Sequence, residues 1–146
     1  MQLRNRIALA PMAGLTDVPF RTLAWRFGVG HMVSEMVASK LDLWHTQKSQ
    51  LRREALPCAA PTAVQMAGNE PAVMAETARR LVDDGAELID INFGCPAKKV
   101  CRRAAGSALL GALDRVAAIV ETVATAVAVP VTIKTRTGLV VDDRIG

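Results

Sequence analysis

Tyrosine is absent from the 146 residues, and all aromatic residues together make up 3% of them. A core built on large rings is therefore excluded. So is a row of aromatics interleaved with bases, the platform on which single-stranded nucleic acid stacks. Cysteine is scarce: Cys58, Cys95 and Cys101 show no CxxC spacing and cannot all pair with one another, which excludes a disulfide scaffold and fits a reducing compartment. The two histidines, His31 and His45, lie far from the cysteines in sequence, so no metal site is expected. No apolar run approaches the ~20 residues of a membrane span. The opening MQLRNRIALAPMAG lacks the apolar region of a signal peptide, and the chain reads as cytoplasmic.

What is present is a chain that is 51% hydrophobic, rich in Ala and Val, and long enough for one domain. Small aliphatic side chains suit buried parallel strands and the helices that cover them, so the fold class is α/β. The net charge of +4 tolerates an anionic partner without demanding one. Its local form is more specific: Lys98, Lys99, Arg102 and Arg103 place four cations in one short segment.

Strand and helix patterns alternate along the chain. RIALAPMAG reads as a strand, followed by a helix over DVPFRTLAWRFG with Asp17 as N-cap and Gly28 as terminator. HMVSEMV reads as one strand, and a short helix is expected around Leu43 to Leu51. PTAVQMAG is a third strand. NEPAVMAETARRLVDDG is a helix capped by Asn69, with Pro71 in its first turn, Met74, Ala78 and Leu81 on one stripe, and Gly85 at its end. AELIDINFG is a fourth strand, a helix capped by Asp114 follows, and PVTIKTRTG is a fifth strand. Repeated βα units predict parallel strands with right-handed crossovers. The first loop is not GxGxxG, which disfavours a dinucleotide-binding sheet. A (β/α)8 barrel needs ~250 residues, so the expected architecture is the first half of a TIM barrel.

In such barrels chemistry lies at the carboxyl ends of the strands. The two-residue period puts Ala63 and Gln65 on one face, with Leu88, Asp90 and Asn92 beside them and Thr132, Lys134 and Arg136 beyond. Val64, Met66, Ile89, Ile91, Phe93, Val131 and Ile133 then face helices. Gln65, Asn92 and Lys134 converge on the mouth, where two amides and a cation suit a planar heterocycle with hydrogen-bonding edges, a flavin or a base.

Cys95 stands where the fourth apolar run stops. Gly94 permits a tight exit from the strand and Pro96 fixes the onward direction, which holds Cys95 at the mouth. Near neutral pH a free thiol serves as a proton donor as readily as a nucleophile. The connection from Cys95 to Leu113 exceeds the usual two to six residues, and long ordered loops tend to carry function. Cys101 lies within it, with nothing in the sequence to fix its position.

These residues resemble the tRNA-dihydrouridine synthases, flavin enzymes built on a (β/α)8 barrel with a small helical domain behind it. APMAGLTDVPFR is similar to the family's opening flavin loop, NFGCPAKKV with AGSALL to its catalytic loop, and IKTRTG to its fifth strand. GCPAKKV is most similar to the bacterial B subfamily, whose loop has asparagine where this chain has Cys101. The resemblance implies FMN bound through Pro11, Met12, Ala13, Gln65 and Lys134, with NADPH as reductant. It implies Cys95 as the acid that protonates C5 of a uracil taking hydride at C6. Asn92, Arg136, Lys98 and Lys99 are then substrate-binding, and tRNA is the partner. Residues 1–146 would be the N-terminal portion of the catalytic barrel, with the remaining strands and the helical tRNA-binding domain absent. Alone, such a segment is expected to be inactive and to self-associate through two open strand edges.

Two other readings fit the same residues. One is a dihydroorotate-dehydrogenase-like flavin barrel acting on a free pyrimidine, which has no need of the four cations. The other is an inactive fragment whose property is association.

Overall fold

Parallel strands and covering helices alternate in a computed structural model that describes residues 3–39, 44, 46–56 and 60–138. In chain order they are β1 (Ala8–Leu9), α1 (Val18–Arg26), β2 (His31–Met32), β3 (Val37–Ala38), α2 (Gln47–Arg53), β4 (Ala63–Ala67), α3 (Pro71–Asp83), β5 (Leu88–Asn92), α4 (Lys98–Cys101), a 3₁₀ helix (Gly106–Gly111), α5 (Leu113–Ala126) and β6 (Val131–Lys134). Among the described residues every strand pairing is parallel. The strands run β1-β2, then β3-β4-β5-β6, and a Val33–Ala63 bridge joins the two groups. The fold is α/β, with the strand order of the first half of a (β/α)8 barrel.

The segment HMVSEMV forms two strands rather than the single one expected. Val33 stands opposite Ala63 and Val37 opposite Met66, so four steps on one side match three on the other. The extra residue makes a bulge around Ser34 to Met36. Within it the Ser34 hydroxyl, not a backbone carbonyl, accepts the Gln65 N–H at 3.2 Å. A short polar side chain has replaced one rung of the ladder.

Local chemistry explains the helices. Asp17 accepts the Phe20 N–H at 3.0 Å and caps α1, while Gly28 takes φ +90° just beyond its end. Two expected caps are displaced. Asn69 gives way to Glu70, whose side chain makes no cap hydrogen bond, because Pro71 fixes the first helical position one residue later. Asp114 lies inside the first turn of α5, which begins at Leu113, and its charge favours the positive helix end without capping it. The helix expected around Leu43 begins at Gln47, capped by Thr46; Leu43 and His45 lie outside the described residues.

The core lies between the outer face of the sheet and α3 with α5. Val37, Val64, Met66, Ile89 and Ile91 from the strands, with Phe93 just past β5, meet Met74, Ala78, Leu81, Ile119 and Val123 from the helices. Each of the larger side chains adds roughly 1.5–3 kcal/mol by leaving water. Leu81→Ala would cost more, about 2–5 kcal/mol, because a cavity would remain. Ile133 was expected to face a helix but is 48% exposed, since no described element covers β6 at that point. On the inner face Val33, Ala63 and Leu88 form a small apolar floor. Above that floor the inward side chains turn polar.

Candidate active site at the carboxyl ends of the strands

Four inward side chains from three adjacent strands form one hydrogen-bonded row. Asp90 Oδ1 accepts the Thr132 hydroxyl at 2.7 Å, and its Oδ2 accepts Gln65 Nε2 at 2.6 Å. Gln65 Oε1 in turn accepts Asn92 Nδ2 at 2.9 Å. Gln65, Asp90 and Asn92 are 1%, 5% and 8% exposed, so these bonds are made away from water, where an unpaired polar group would cost about 1–3 kcal/mol. Burial pushes the Asp90 carboxyl above the usual carboxylate range; the Thr132 and Gln65 donors oppose the shift, as do the nearby His31 and Lys134.

The row ends at the cysteine. Asn92 Oδ1 accepts the Gly94 N–H at 3.2 Å and the Cys95 N–H at 2.9 Å, so one side chain folds the turn that follows β5. This corrects the role expected of Gly94. Its φ is not positive, and a Cβ placed there would meet its neighbours at an ordinary 3.5 Å. The glycine this loop requires is Gly106, with φ +64°, where a Cβ would lie 2.6 Å from the Cys95 carbonyl oxygen.

That carbonyl is held from its other side. Ser107 gives it both its N–H, at 3.0 Å, and its hydroxyl, at 3.1 Å. Cys101, for which no anchor was expected, is half-buried, with Sγ 3.6 Å from the Cys95 carbonyl and from the Ser107 hydroxyl. Arg136 Nε donates to the Gly94 carbonyl at 2.7 Å, which ties the loop to the chain beyond β6. Cys95 and Cys101 are both free thiols, and Cys58 lies outside the described residues.

The Pro11 to Ala13 loop is stiffened by one threonine. The Thr16 hydroxyl accepts the Met12 N–H at 2.9 Å and donates to the Met12 carbonyl at 3.1 Å. Glu35, which no sequence pattern singled out, accepts the Gly14 N–H at 2.9 Å. Its Oε2 also lies 3.2 Å from Arg52 Nε, an ion pair whose geometry is not that of a hydrogen bond. A carboxylate within the strand pattern HMVSEMV was the available signal. Ser107 had a weaker one, as a lone hydroxyl among small residues in AGSALL.

Lys134 ends β6 opposite Asn92, and its carbonyl accepts the Phe93 N–H at 2.8 Å. The side chains of Gln65, Asn92 and Lys134 thus come from the neighbouring strands β4, β5 and β6, as the two-residue period requires. The four loop cations do not act as one group. Lys99 and Arg103 line a cavity of about 770 Å³, whose apolar wall includes Met36, Ala38, Ala67 and Val100. Lys98 and Arg102 are exposed but line no part of it. Among the described residues no helix is long and apolar enough to cross a membrane, and no group of three His, Cys, Asp or Glu side chains could hold a metal.

A family model described as dihydrouridine synthase matches residues 8–145. The tRNA-dihydrouridine synthase B of Pseudomonas aeruginosa is 56% identical over 144 residues, which is 99% of this chain and 43% of that protein. The tRNA-dihydrouridine synthase B of Pseudomonas putida is 55% identical over 136 residues, covering 93% and 40%. The protein of the same name from Escherichia coli K12 is 53% identical over 137 residues, covering 94% and 43%. The chain therefore spans well under half the length of these curated relatives.

Proposed function

The chain belongs to the dihydrouridine synthase family, and from that premise we propose that, within a protein of its relatives' length, it reduces uridines of tRNA to 5,6-dihydrouridine with FMN as cofactor and NADPH as reductant. Residues 1–146 then form the N-terminal portion of the catalytic barrel, and the working enzyme is cytoplasmic. The observation that carries this reading is the anchoring of Cys95. Asn92 grips its N–H and Ser107 its carbonyl, so the backbone on both sides of the thiol is fixed at the strand ends.

The residues fit a flavin by their donor chemistry. Gln65 commits one Nε2 hydrogen to Asp90 and retains another, and the Lys134 side chain is exposed beside the row. With Pro11, Met12 and Ala13 on a stiffened loop, these residues would hold the cofactor. FMN held there would supply hydride chemistry at C6 of the uracil.

The chain's own residues do the rest. Asn92 has one Nδ2 hydrogen left after Gln65 takes the other, enough to orient a carbonyl on the pyrimidine edge. Cys95 delivers its thiol proton to C5, the step that completes the saturated ring. Arg136 holds the loop through Gly94 and, with Lys98 and Lys99, brings positive charge to the mouth, where the tRNA phosphates pass. Without the rest of the barrel the segment is inactive. It self-associates through the open edges at β1 and β6, through Phe20 and Leu23 on α1, and through Phe27 just beyond that helix, which is 84% exposed.

The test is turnover by the full-length protein of an unmodified tRNA transcript with NADPH. Dihydrouridine should form in the tRNA and not from free uracil or orotate. Turnover of a free pyrimidine with none on tRNA would favour the dihydroorotate-dehydrogenase-like reading.

A further inference from the structure

Asp90 is five residues upstream of Cys95 and bonds to neither it nor the turn that holds it, yet the row of hydrogen bonds gives it control of that turn. Polarity is the reason. A carboxylate only accepts, whereas an amide has one accepting and one donating end and can be turned end for end at little cost. With both Asp90 oxygens used as acceptors, Gln65 must present Nε2 to it. Gln65 Oε1 is then left facing Asn92, which must answer with Nδ2. Asn92 Oδ1 is thereby the end left for the N–H groups of Gly94 and Cys95. Each amide has one orientation because the row starts at an acceptor that cannot donate and ends at two backbone N–H groups that cannot accept.

We propose that Asp90 is a positioning residue for Cys95: its carboxylate sets the direction of the Gln65 and Asn92 amides so that Asn92 offers an acceptor to the Cys95 N–H. Its value to catalysis rests on the reading of Cys95 as the acid, but the relay itself does not. Burial of all three members is what makes the polarity matter, since water is not there to satisfy an amide turned the wrong way.

Asp90→Asn keeps the shape and removes the constraint at this end, leaving only the Gly94 and Cys95 N–H groups to set the direction. The new amide can donate to Gln65 Oε1, and the row can then run backwards. In that state Asn92 presents Nδ2 to the Cys95 N–H, a donor against a donor, and the turn loses its anchor. Combining Asp90→Asn with Asn92→Asp moves the acceptor-only group to the far end. The row then runs backwards throughout, yet position 92 again accepts from Gly94 and Cys95.

The experiment uses the full-length protein with isotope-labelled cysteine and reads the hydrogen exchange of the Cys95 amide by NMR. Asp90→Asn should speed that exchange about tenfold or more, as expected when a protecting hydrogen bond is removed. The Cys101 amide, bonded to Ala97, should not change. The double variant should return Cys95 to the parent rate, a rescue that general destabilisation would not produce. Unchanged Cys95 exchange in folded Asp90→Asn overturns the proposal. So does a double variant that exchanges no more slowly than the single one. If Asp90→Asn does not fold, Gln65→Met removes the middle link and should give the same rise, with an unchanged rate again overturning the relay. Uridine turnover is read on the same samples. Faster exchange with undiminished turnover would leave the relay standing and overturn its value to catalysis.

Discussion

The Ser107 hydroxyl donates to the Cys95 carbonyl at 3.1 Å across a twelve-residue separation, and the Ser107 N–H bonds the same oxygen at 3.0 Å. A carbonyl held twice by one residue ties the start of the long loop to its 3₁₀ helix. The basic segment between them, including α4, is therefore a closed excursion whose two ends meet beneath the cysteine.

That closure makes Gly106 the most sensitive glycine of the loop. Gly106→Ala puts a Cβ 2.6 Å from the Cys95 oxygen and 2.9 Å from Val100 Cγ1, at a φ of +64°. The αL conformation alone costs roughly 1–2 kcal/mol, and the clash adds to it. Gly14→Ala, at φ +78° with nothing within 4 Å, should bear only the first cost. Thermal unfolding of the two variants should show the larger drop in Tm for Gly106→Ala; equal drops would mean that the loop gives way freely.

Ser107→Ala and Cys101→Ala separate a strong interaction from a weak one. Removing the Ser107 hydroxyl should cost about 0.5–1.5 kcal/mol, the worth of one intramolecular hydrogen bond. Cys101→Ala should cost less, because Sγ at 3.6 Å is a weak partner and Ser107 still holds the Cys95 oxygen twice. Denaturant unfolding checks this, and a Cys101→Ala variant less stable than Ser107→Ala would reverse the order.

Changing Lys98, Lys99, Arg102 and Arg103 to Ala should weaken tRNA binding by the full-length protein and flatten its dependence on salt, while flavin reduction by NADPH persists. Each phosphate that is no longer neutralised takes about one unit from the salt slope. All four are exposed, but Lys99 and Arg103 also line the cavity and should account for a different share than Lys98 and Arg102. An unchanged slope would mean that all four are a solvated surface without a role in binding.

Much of this site was legible because strands impose a two-residue period. Gln65, Asn92 and Lys134 followed from counting along three apolar runs, as did the Met74, Ala78 and Leu81 stripe from counting along a helix. The bulge at Ser34 was not legible, since a hydroxyl replacing a backbone acceptor leaves the hydrophobic pattern intact. Nor were the caps at Glu70 and Ala112, where a proline and the helix's own start outweighed the better capping residues nearby. The anchoring of Cys95 escaped for a different reason. Ser107 and Gly106 meet it only after the chain closes a loop, and no local pattern records a partner twelve residues away.

His31 gives the site's surroundings a pH dependence. Burial lowers its pKa from the ordinary 6.5, partly opposed by Asp90, and its Nδ1 has no hydrogen-bond partner among the described residues. The folded state thus favours the neutral ring, so this contribution to stability is present above pH 6.5 and is lost as the pH falls through the lowered value. Asp90, whose pKa is raised by burial, acts in the opposite sense at lower pH, where protonation relieves the buried charge. His31→Leu should make the fall in stability below pH 6.5 shallower; parallel curves for the two proteins would show that His31 titrates as it does unfolded.

Removing the thiol of Cys95 and following one turnover tests the role of this cysteine most directly. Full-length Cys95→Ala is reduced with NADPH and mixed with unmodified tRNA. Flavin content and reduction by NADPH should both be normal, since neither uses the thiol, while uridine reduction slows by about 10²- to 10⁴-fold, the usual worth of a general acid. Uridine reduction at a rate close to that of the unaltered enzyme would contradict that role and leave the cysteine, held by Asn92 and Ser107, as a packed turn without chemistry.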